Sequence, residues 1–528
     1  MRKSILTETD HSLYTAGNAP VELLLEAGLD PRPKSSAKTS SIIAPNTYHI
    51  ISETTACTNT APTDGNDIIL DQCNQGTLHG LNGNDTLIGL EGNDTIKGEG
   101  NDDKLYGDSG SDTLHGGAGI DTLYGGNEID SIFGGDSNDT AYGDAGDDRL
   151  YGGINNDKVY GGEGNDTILG DSGSDGNDIL YGDAGNDLLE GEDGYDTLYG
   201  GLNNDTLYVG VPFGEDSFYD FAYGGEGNDT LFGHAADTLY GGLDNDTLYG
   251  GNYMSGEEGN DIIYSINSAV SLFGGEGSDT IYASNTSEKS YGGTGNDTIY
   301  GDLGRDVLDG NSENDLLYGG RDDDTISGGD GIDTLFGDGD NDTIHGEDGT
   351  DILSGMTGND ALFGGEHNDT ISGDDGNDYA YGDGGNDLVQ GGAENDTLYG
   401  GNDQDRLYGG TGSDTLYGDA GNDKFYGGAP GSETFESDTA YGGAGTDLYA
   451  FGQGYGNDAF YGGSEFDEIQ LIGGQPAGPI DTWLEMTQGS FRILADGSIL
   501  LDNGATGIIH LADGSTLNFE GVEHIFFT

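Results

Sequence analysis

At 528 residues the chain exceeds the usual size of one hydrophobic core, and its 103 glycines accompany only 9 prolines, without the three-residue period of collagen. Its 99 Asp and Glu face 15 Lys and Arg, a formal net charge of −84 that excludes attraction to nucleic acid or anionic membrane surfaces and sets the chain against itself. Acidity with only 32% hydrophobic residues describes a disordered chain unless cations neutralise it; at two charges each, 84 charges correspond to 42 divalent ions.

Residues 1–62 carry no repeat and are expected to be an N-terminal cap or partly disordered tail. Arg2 and Lys3 open like a signal peptide, but polar Thr7 to His11 follow, and the later apolar run Val21 to Leu25 is too short for its hydrophobic region. Asn18, Pro20 and Gly28 could start and end a short helix there. Cys57 and Cys73 could bridge in an oxidising exterior. No stretch approaches the roughly 18 apolar residues of a membrane span, so no transmembrane segment is expected.

From residue 63 to 447 one phrase recurs: GGEGNDTIL at Gly161, GGTGNDTIY at Gly292, GGTGSDTLY at Gly409. The template is G-G-x-G-x-D-x-U-x, with U a large apolar residue. Its sixth-position aspartates fall nine apart at Asp85, Asp94, Asp103, Asp112, Asp121, Asp130, Asp139, Asp148, Asp157, Asp166 and Asp175. The count then shifts by three to Asp178 and continues through Asp187, Asp196 and Asp205. Interruptions are expected near 206–228, 249–260 and 427–437.

Between the first two interruptions and after them lie worn units, with Asp229, Asp237, Asp246, Asp261 and Asp279 in register but Val270 and Glu288 where aspartate is due. The longest run is unbroken: Asp297, Asp306, Asp315, Asp324, Asp333, Asp342, Asp351, Asp360, Asp369, Asp378, Asp387, Asp396, Asp405, Asp414 and Asp423. Asp447 follows the last interruption. These aspartates, apart from Asp175, Asp237 and Asp261, are the expected metal ligands.

The eighth position is apolar, as in Leu87, Ile96, Leu105, Leu114, Ile299, Leu308, Leu317 and Ile326. One buried residue in nine cannot make a helix, whose apolar face recurs at three and four. It suits a three-residue strand with its centre inward, preceded by a six-residue turn in which glycine permits positive φ. Two units close a coil of eighteen residues, so units nine apart lie on opposite sheets and units eighteen apart stack. The fold expected is all-β: a parallel β-roll, or β-solenoid, of nonapeptide repeats.

Stacking places Asp297, Asp315, Asp333 and Asp351 in one column and Asp306, Asp324, Asp342 and Asp360 in another. At a strand spacing of roughly 4.8 Å, like charges in such a ladder require a cation between rungs. Calcium fits because it takes six to eight oxygens, carboxylate or carbonyl, in loose geometry. Magnesium is stricter, and zinc would call for His or Cys. Aspartate can sit in such turns for its turn chemistry alone, but that does not require the same acid at every ninth residue.

These residues resemble the repeats-in-toxin (RTX) family of haemolysin-type calcium-binding repeats, whose nonapeptide is a known β-helix signature. The resemblance implies a β-roll in which each calcium, tens of ions in all, is held by sixth-position aspartates of two stacked turns and by turn carbonyls. It also implies export by a type I secretion apparatus that reads an uncleaved C-terminal signal, and folding outside the cell, where calcium is millimolar.

The ninth-position tyrosines Tyr106, Tyr124, Tyr142 and Tyr160, and Tyr381, Tyr399 and Tyr417, should form outward stripes that stabilise neighbouring strands. An aromatic platform for cell-surface or matrix carbohydrate is the other reading. The seventh-position threonines Thr86, Thr95, Thr334 and Thr343 suggest an ice-binding array, but the third turn position varies among Glu163, Ala118 and Ser109.

Segment 448–528 alternates apolar and polar residues around Asp-Gly turns, so a small β-rich C-terminal cap with antiparallel strands is expected, carrying the secretion signal. No His-Glu-x-x-His or Gly-x-Ser-x-Gly occurs, so no protease or lipase site is expected. The functional expectation is an extracellular, non-catalytic, structural or adhesive calcium-binding protein. The alternative is the repeat portion of a toxin or exoenzyme.

Overall fold

The computed structural model describes residues 49–52 (backbone only), 64–71, 76–171, 176–210, 218–266, 271–428 and 436–528. The readings placed on Arg2 to Gly28, on Cys57 and Cys73, and on Asp175 and Val270 lie outside these residues. The chain forms two compact units, Met1–Gly251 and Asn252–Thr528.

In both units the repeat becomes a short parallel strand for the reason its sequence suggests. Thr, Leu or Ile, and an aromatic residue in succession favour extended backbone, and the middle one turns inward. In the first unit Leu105, Leu114, Leu123 and Ile132 are fully buried, as are Ile299, Leu308, Leu317 and Ile326 in the second. Partners lie eighteen residues apart: Thr113–Ala118 pairs in parallel with Ser131–Asp136, Thr113 opposite Ser131, and Val307–Ser312 pairs with Thr325–Gly331. Residues nine apart fall in opposite sheets.

Most strands are longer than the three residues expected. Pairing runs into the first half of the turn, as where Gly117 lies opposite Gly135, because glycine lets one coil's backbone rest directly on the next. Extra residues are absorbed in turns while the strands keep register. Lys158 pairs with Ile179 across a long coil, Thr197 with Phe221 across a longer one, and Phe221 with Thr238 across a short one.

Outward ninth-position rings stack face to face. Tyr124 and Tyr142 have centroids 4.8 Å apart and planes within 3°, in a ribbon that continues through Tyr160, Tyr181, Tyr199, Tyr223 and Tyr240. The second unit repeats this at Tyr381, Tyr399, Tyr417, Tyr441 and Tyr461. Stacking of this kind contributes about 0.5–1.5 kcal/mol per pair, and it turns each ring's face toward a neighbouring ring.

Parallel stacking continues past residue 447: Asn457–Ser464 adds to Thr439–Ala444 and Glu468–Leu471 to Leu448–Phe451. The final strands, Thr516–Glu520 and His524–Phe527, stack in parallel on those two. Leu484–Gln488, Phe491–Ile493, Ile499–Leu501 and Thr506–His510 then pair antiparallel around them, a cap over an otherwise open sheet edge. Toward this end the core changes from Leu and Ile to Phe425, Tyr449, Phe451 and Phe460. Among the described residues no helix is long and apolar enough to cross a membrane.

Candidate metal ladders

Each turn brings the chain round so that the sixth residue opens the next strand with its carboxylate under the coil before it. The second and fourth turn positions lie at positive φ, 111° at Gly117 and 135° at Gly119, and a Cβ there would collide with the backbone of the preceding coil. This close approach aligns the sixth-position aspartates, which are almost wholly buried.

One carboxylate oxygen makes the same bond throughout. Oδ1 accepts the backbone N–H of the sixth residue one coil earlier, at 2.6–3.1 Å. In the first unit one column runs from Asp67 N–H through Asp85, Asp103, Asp121, Asp139, Asp157, Asp178, Asp196, Asp220 and Asp237. The other runs from Gly76 N–H through Asp94, Asp112, Asp130, Asp148, Asp166, Asp187, Asp205, Asp229 and Asp246.

In the second unit one column runs from Asp261 through Asp279, Asp297, Asp315, Asp333, Asp351, Asp369, Asp387, Asp405, Asp423, Asp447 and Asp467. The other runs from Glu288 through Asp306, Asp324, Asp342, Asp360, Asp378, Asp396, Asp414, Asp438 and Asp458. The structure therefore sets every aspartate expected as a ligand on one of these ladders.

The second oxygen is the chemically telling one. Oδ2 of Asp103, Asp121, Asp315, Asp342 and their counterparts is buried without a hydrogen-bond donor. It borders the same space as another acceptor. A Cβ built on Gly319 would stand 2.7 Å from Asp324 Oδ2 and 2.8 Å from the Gly337 carbonyl oxygen of the next coil. The same pair recurs over Gly125, 2.5 Å from Asp130 Oδ2 and 2.8 Å from the Gly143 oxygen.

Burying acceptors against one another is costly. Burial, opposed by the backbone N–H of Asp85 and reinforced by the charges of Asp121 and Asp85, pushes Asp103 up to about 8. Burial, opposed by Asp297 N–H and joined by the charges of Asp297, Asp333 and Glu313, does the same to Asp315. A hard cation among carboxylate and carbonyl oxygens removes the conflict. Among the described residues no three His, Cys, Asp or Glu side chains form a metal-holding group; the donor set is carboxylate completed by carbonyl, which suits calcium rather than zinc.

Several rungs escape the nine-residue count. Asp220, Asp438, Asp458 and Asp467 follow insertions that shift the register, and only a local signal marks them, an apolar residue two positions on: Ala222, Ala440, Phe460 and Ile469. Other rungs are closed by the protein itself. His234 N–H donates to Asp237 Oδ2 at 2.5 Å. The Tyr449 hydroxyl donates to Asp458 Oδ2 at 2.9 Å and lies 2.6 Å from where a Cβ on Gly427 would be, the place taken in regular coils by a glycine carbonyl.

Glu288 replaces aspartate and accepts the Ser284 and Thr286 hydroxyls, both at 2.5 Å, on Oε1. The last rung is completed from the cap, where Glu523 Oε2 accepts Asp467 N–H at 2.9 Å.

A second ladder runs outside the first. Fifth-position Asn359, Asn377 and Asn395 each donate from Nδ2 to the previous coil's Asn341, Asn359 and Asn377 Oδ1 at 3.0–3.1 Å. The same oxygens accept the next backbone N–H at 2.9–3.2 Å.

The family model for the RTX calcium-binding nonapeptide repeat (4 copies) matches residues 79–114, 115–150, 142–175, 172–207, 217–235, 223–252, 235–263, 255–286, 291–326, 318–353, 327–362, 345–380, 363–398, 381–416, 399–429 and 435–456, more than half of the chain. No curated protein matches it. Among solved structures it is similar to a hyperactive, Ca2+-dependent, β-helical antifreeze protein from an Antarctic bacterium, at 17% identity over 62% of this chain and 83% of that one, with a TM-score of 0.11. Repeat, parallel coils and buried aspartate columns agree with the family match: the chain belongs to the RTX calcium-binding nonapeptide-repeat family.

Proposed function

We infer that calcium ions, tens in all, sit between successive rungs of the aspartate columns and that their binding folds the chain. Asp85 to Asp246 in the first unit and Asp279 to Asp447 in the second supply the carboxylates, and first-position glycine carbonyls complete the sites. The observation that carries this reading is the buried Oδ2 set against a carbonyl oxygen in coil after coil. Two acceptors border the same small space there, and Oδ2 has no donor.

Calcium would supply positive charge to that slot, and the residues supply oxygens spaced to share it. Extracellular modules bind calcium at about 10⁻⁴ to 10⁻³ M, so the chain stays unfolded in a cytosol and folds after export by a type I apparatus. The product is a secreted, non-catalytic, structural or adhesive protein. Any carbohydrate contact on the tyrosine ribbons would have to use ring edges, because neighbouring rings stack on the faces.

A calcium titration followed by circular dichroism and light scattering tests this. Collapse from an expanded coil to a compact β-rich state near millimolar calcium is expected, with no such change in magnesium. Full native β signal in excess chelator at neutral pH would overturn it. Leakage from calcium-treated vesicles, or turnover of any substrate in a hydrolase panel, would replace the structural reading with a toxin or enzyme.

A further inference from the structure

The first turn of the second column departs from the template at two positions at once. In the turns stacked on it the first residue is glycine (Gly89, Gly107, Gly125, Gly143) and the sixth is aspartate (Asp94, Asp112, Asp130, Asp148). In turn 71–76 the two are exchanged: Asp71 stands first and Gly76 sixth.

The exchange leaves the backbone of the rung intact. Gly76 N–H donates to Asp94 Oδ1 at 2.6 Å, as an aspartate would, and the Gly76 carbonyl accepts Thr95 N–H at 2.9 Å. The carboxylate is not lost either. A Cβ built on Gly76 would collide with Asp71 Oδ2, so Asp71 sends its carboxylate from the opposite side of the turn into the space a sixth-position aspartate would fill. Asp71 is 6% exposed and Asp94 2%, and Asp71 is near enough for its charge and a shared hydrogen bond to act on the Asp94 carboxyl.

Asp94 Oδ2 has no hydrogen-bond donor. We propose that Asp71 and Asp94 hold a calcium ion between the first two coils of this column, at a rung that lacks the motif's aspartate and precedes the first family-matched residue, 79. Turn geometry explains why the swap works. The first and sixth residues face each other across the turn, so a side chain on either can reach the same slot provided the other is glycine.

This site rests on the calcium-ladder reading, and the test separates the two. Crystals of the full chain grown with terbium in place of calcium should show anomalous density beside Asp71 and Asp94 as well as along the regular rungs. Density at the regular rungs with none at this one overturns the site alone; density at no rung overturns the ladder and the site together.

In solution, Asp71→Asn should raise the calcium midpoint for amide protection of Thr77–Asn82 by roughly tenfold, the scale of losing one group from a metal site, while later coils keep theirs. The exchange-back variant Asp71→Gly/Gly76→Asp should restore it. An unchanged midpoint in Asp71→Asn, or no recovery in the exchange-back variant, overturns the assignment.

Discussion

The run from Asp297 to Asp423 and the closing coil at Asp458 belong to the same unit and bury the same carboxylates, yet they resolve the charge differently. Along the run every Oδ2 is left without a donor. At Asp458 both oxygens are satisfied, Oδ1 by Asp438 N–H at 3.1 Å and Oδ2 by the Tyr449 hydroxyl. A buried carboxylate whose second oxygen lacks a donor is left with nothing but an ion or a proton to meet it; one that has a donor is closed by the protein, although burial and the charge of Asp438 still push Asp458 up to about 8. Asp237, closed by His234 N–H, repeats the lesson in the first unit.

The largest effect expected is on the run as a whole when metal is withdrawn, and pH sets its sign. Asp315 and Asp342 are pushed up to about 8 and Asp405 to about 6, by burial first, from an ordinary 3.8. Between those values the folded chain binds protons that the unfolded chain has released, so without metal stability falls as pH rises. In chelator, β signal should persist near pH 5 and vanish by pH 8. With calcium the dependence should reverse, because protons compete for the same oxygens. Circular dichroism across that range, with and without calcium, checks both slopes.

Next in size is the core. Leu335, fully buried, should cost about 2–5 kcal/mol as Leu335→Ala, measured by thermal unfolding at saturating calcium. The sharper contrast is smaller. Asp342→Asn should raise the calcium midpoint of its coils by roughly tenfold, about 1.4 kcal/mol. Tyr449→Phe should cost about 1–3 kcal/mol at any calcium level, since it strands a buried acceptor, and should shift the midpoint less than Asp342→Asn does, since it removes no carboxylate from an ion-closed rung. Equal midpoint shifts in the two variants would erase the distinction between ion-closed and protein-closed rungs.

The smallest effect belongs to the outer ladder. Asn359→Ala removes exposed hydrogen bonds worth about 0.5–1.5 kcal/mol, visible as a modest loss in thermal midpoint with a smaller shift of the calcium midpoint than any rung variant gives.

Much of this was legible in residue order. A period of nine with one apolar residue and one aspartate per unit leads to the coil, the buried eighth position and the two columns, because each depends on spacing along the chain. The tyrosine ribbons follow in the same way. The rungs at Asp220, Asp438 and Asp467 were not legible, since insertions break the count and only strand pairing across coils restores it. Asp71 was hidden for another reason: its carboxylate does the work of a sixth position from a first one.

The primary structure alone determined that the chain is a calcium-binding coil of nonapeptides, because a strict period leaves one way to bury Leu and Ile while stacking like charges. Tertiary packing decided what each oxygen of a carboxylate faces. Oδ1 turns to a backbone N–H one coil away, and Oδ2 borders a carbonyl of another coil or accepts the backbone N–H of His234 in its own turn or the Tyr449 hydroxyl. The N–H partners lie seventeen to twenty-four residues away and the carbonyls belong to another coil, while Tyr449 and His234 lie nine and three residues away, so only the folded backbone decides which of them comes within bonding range.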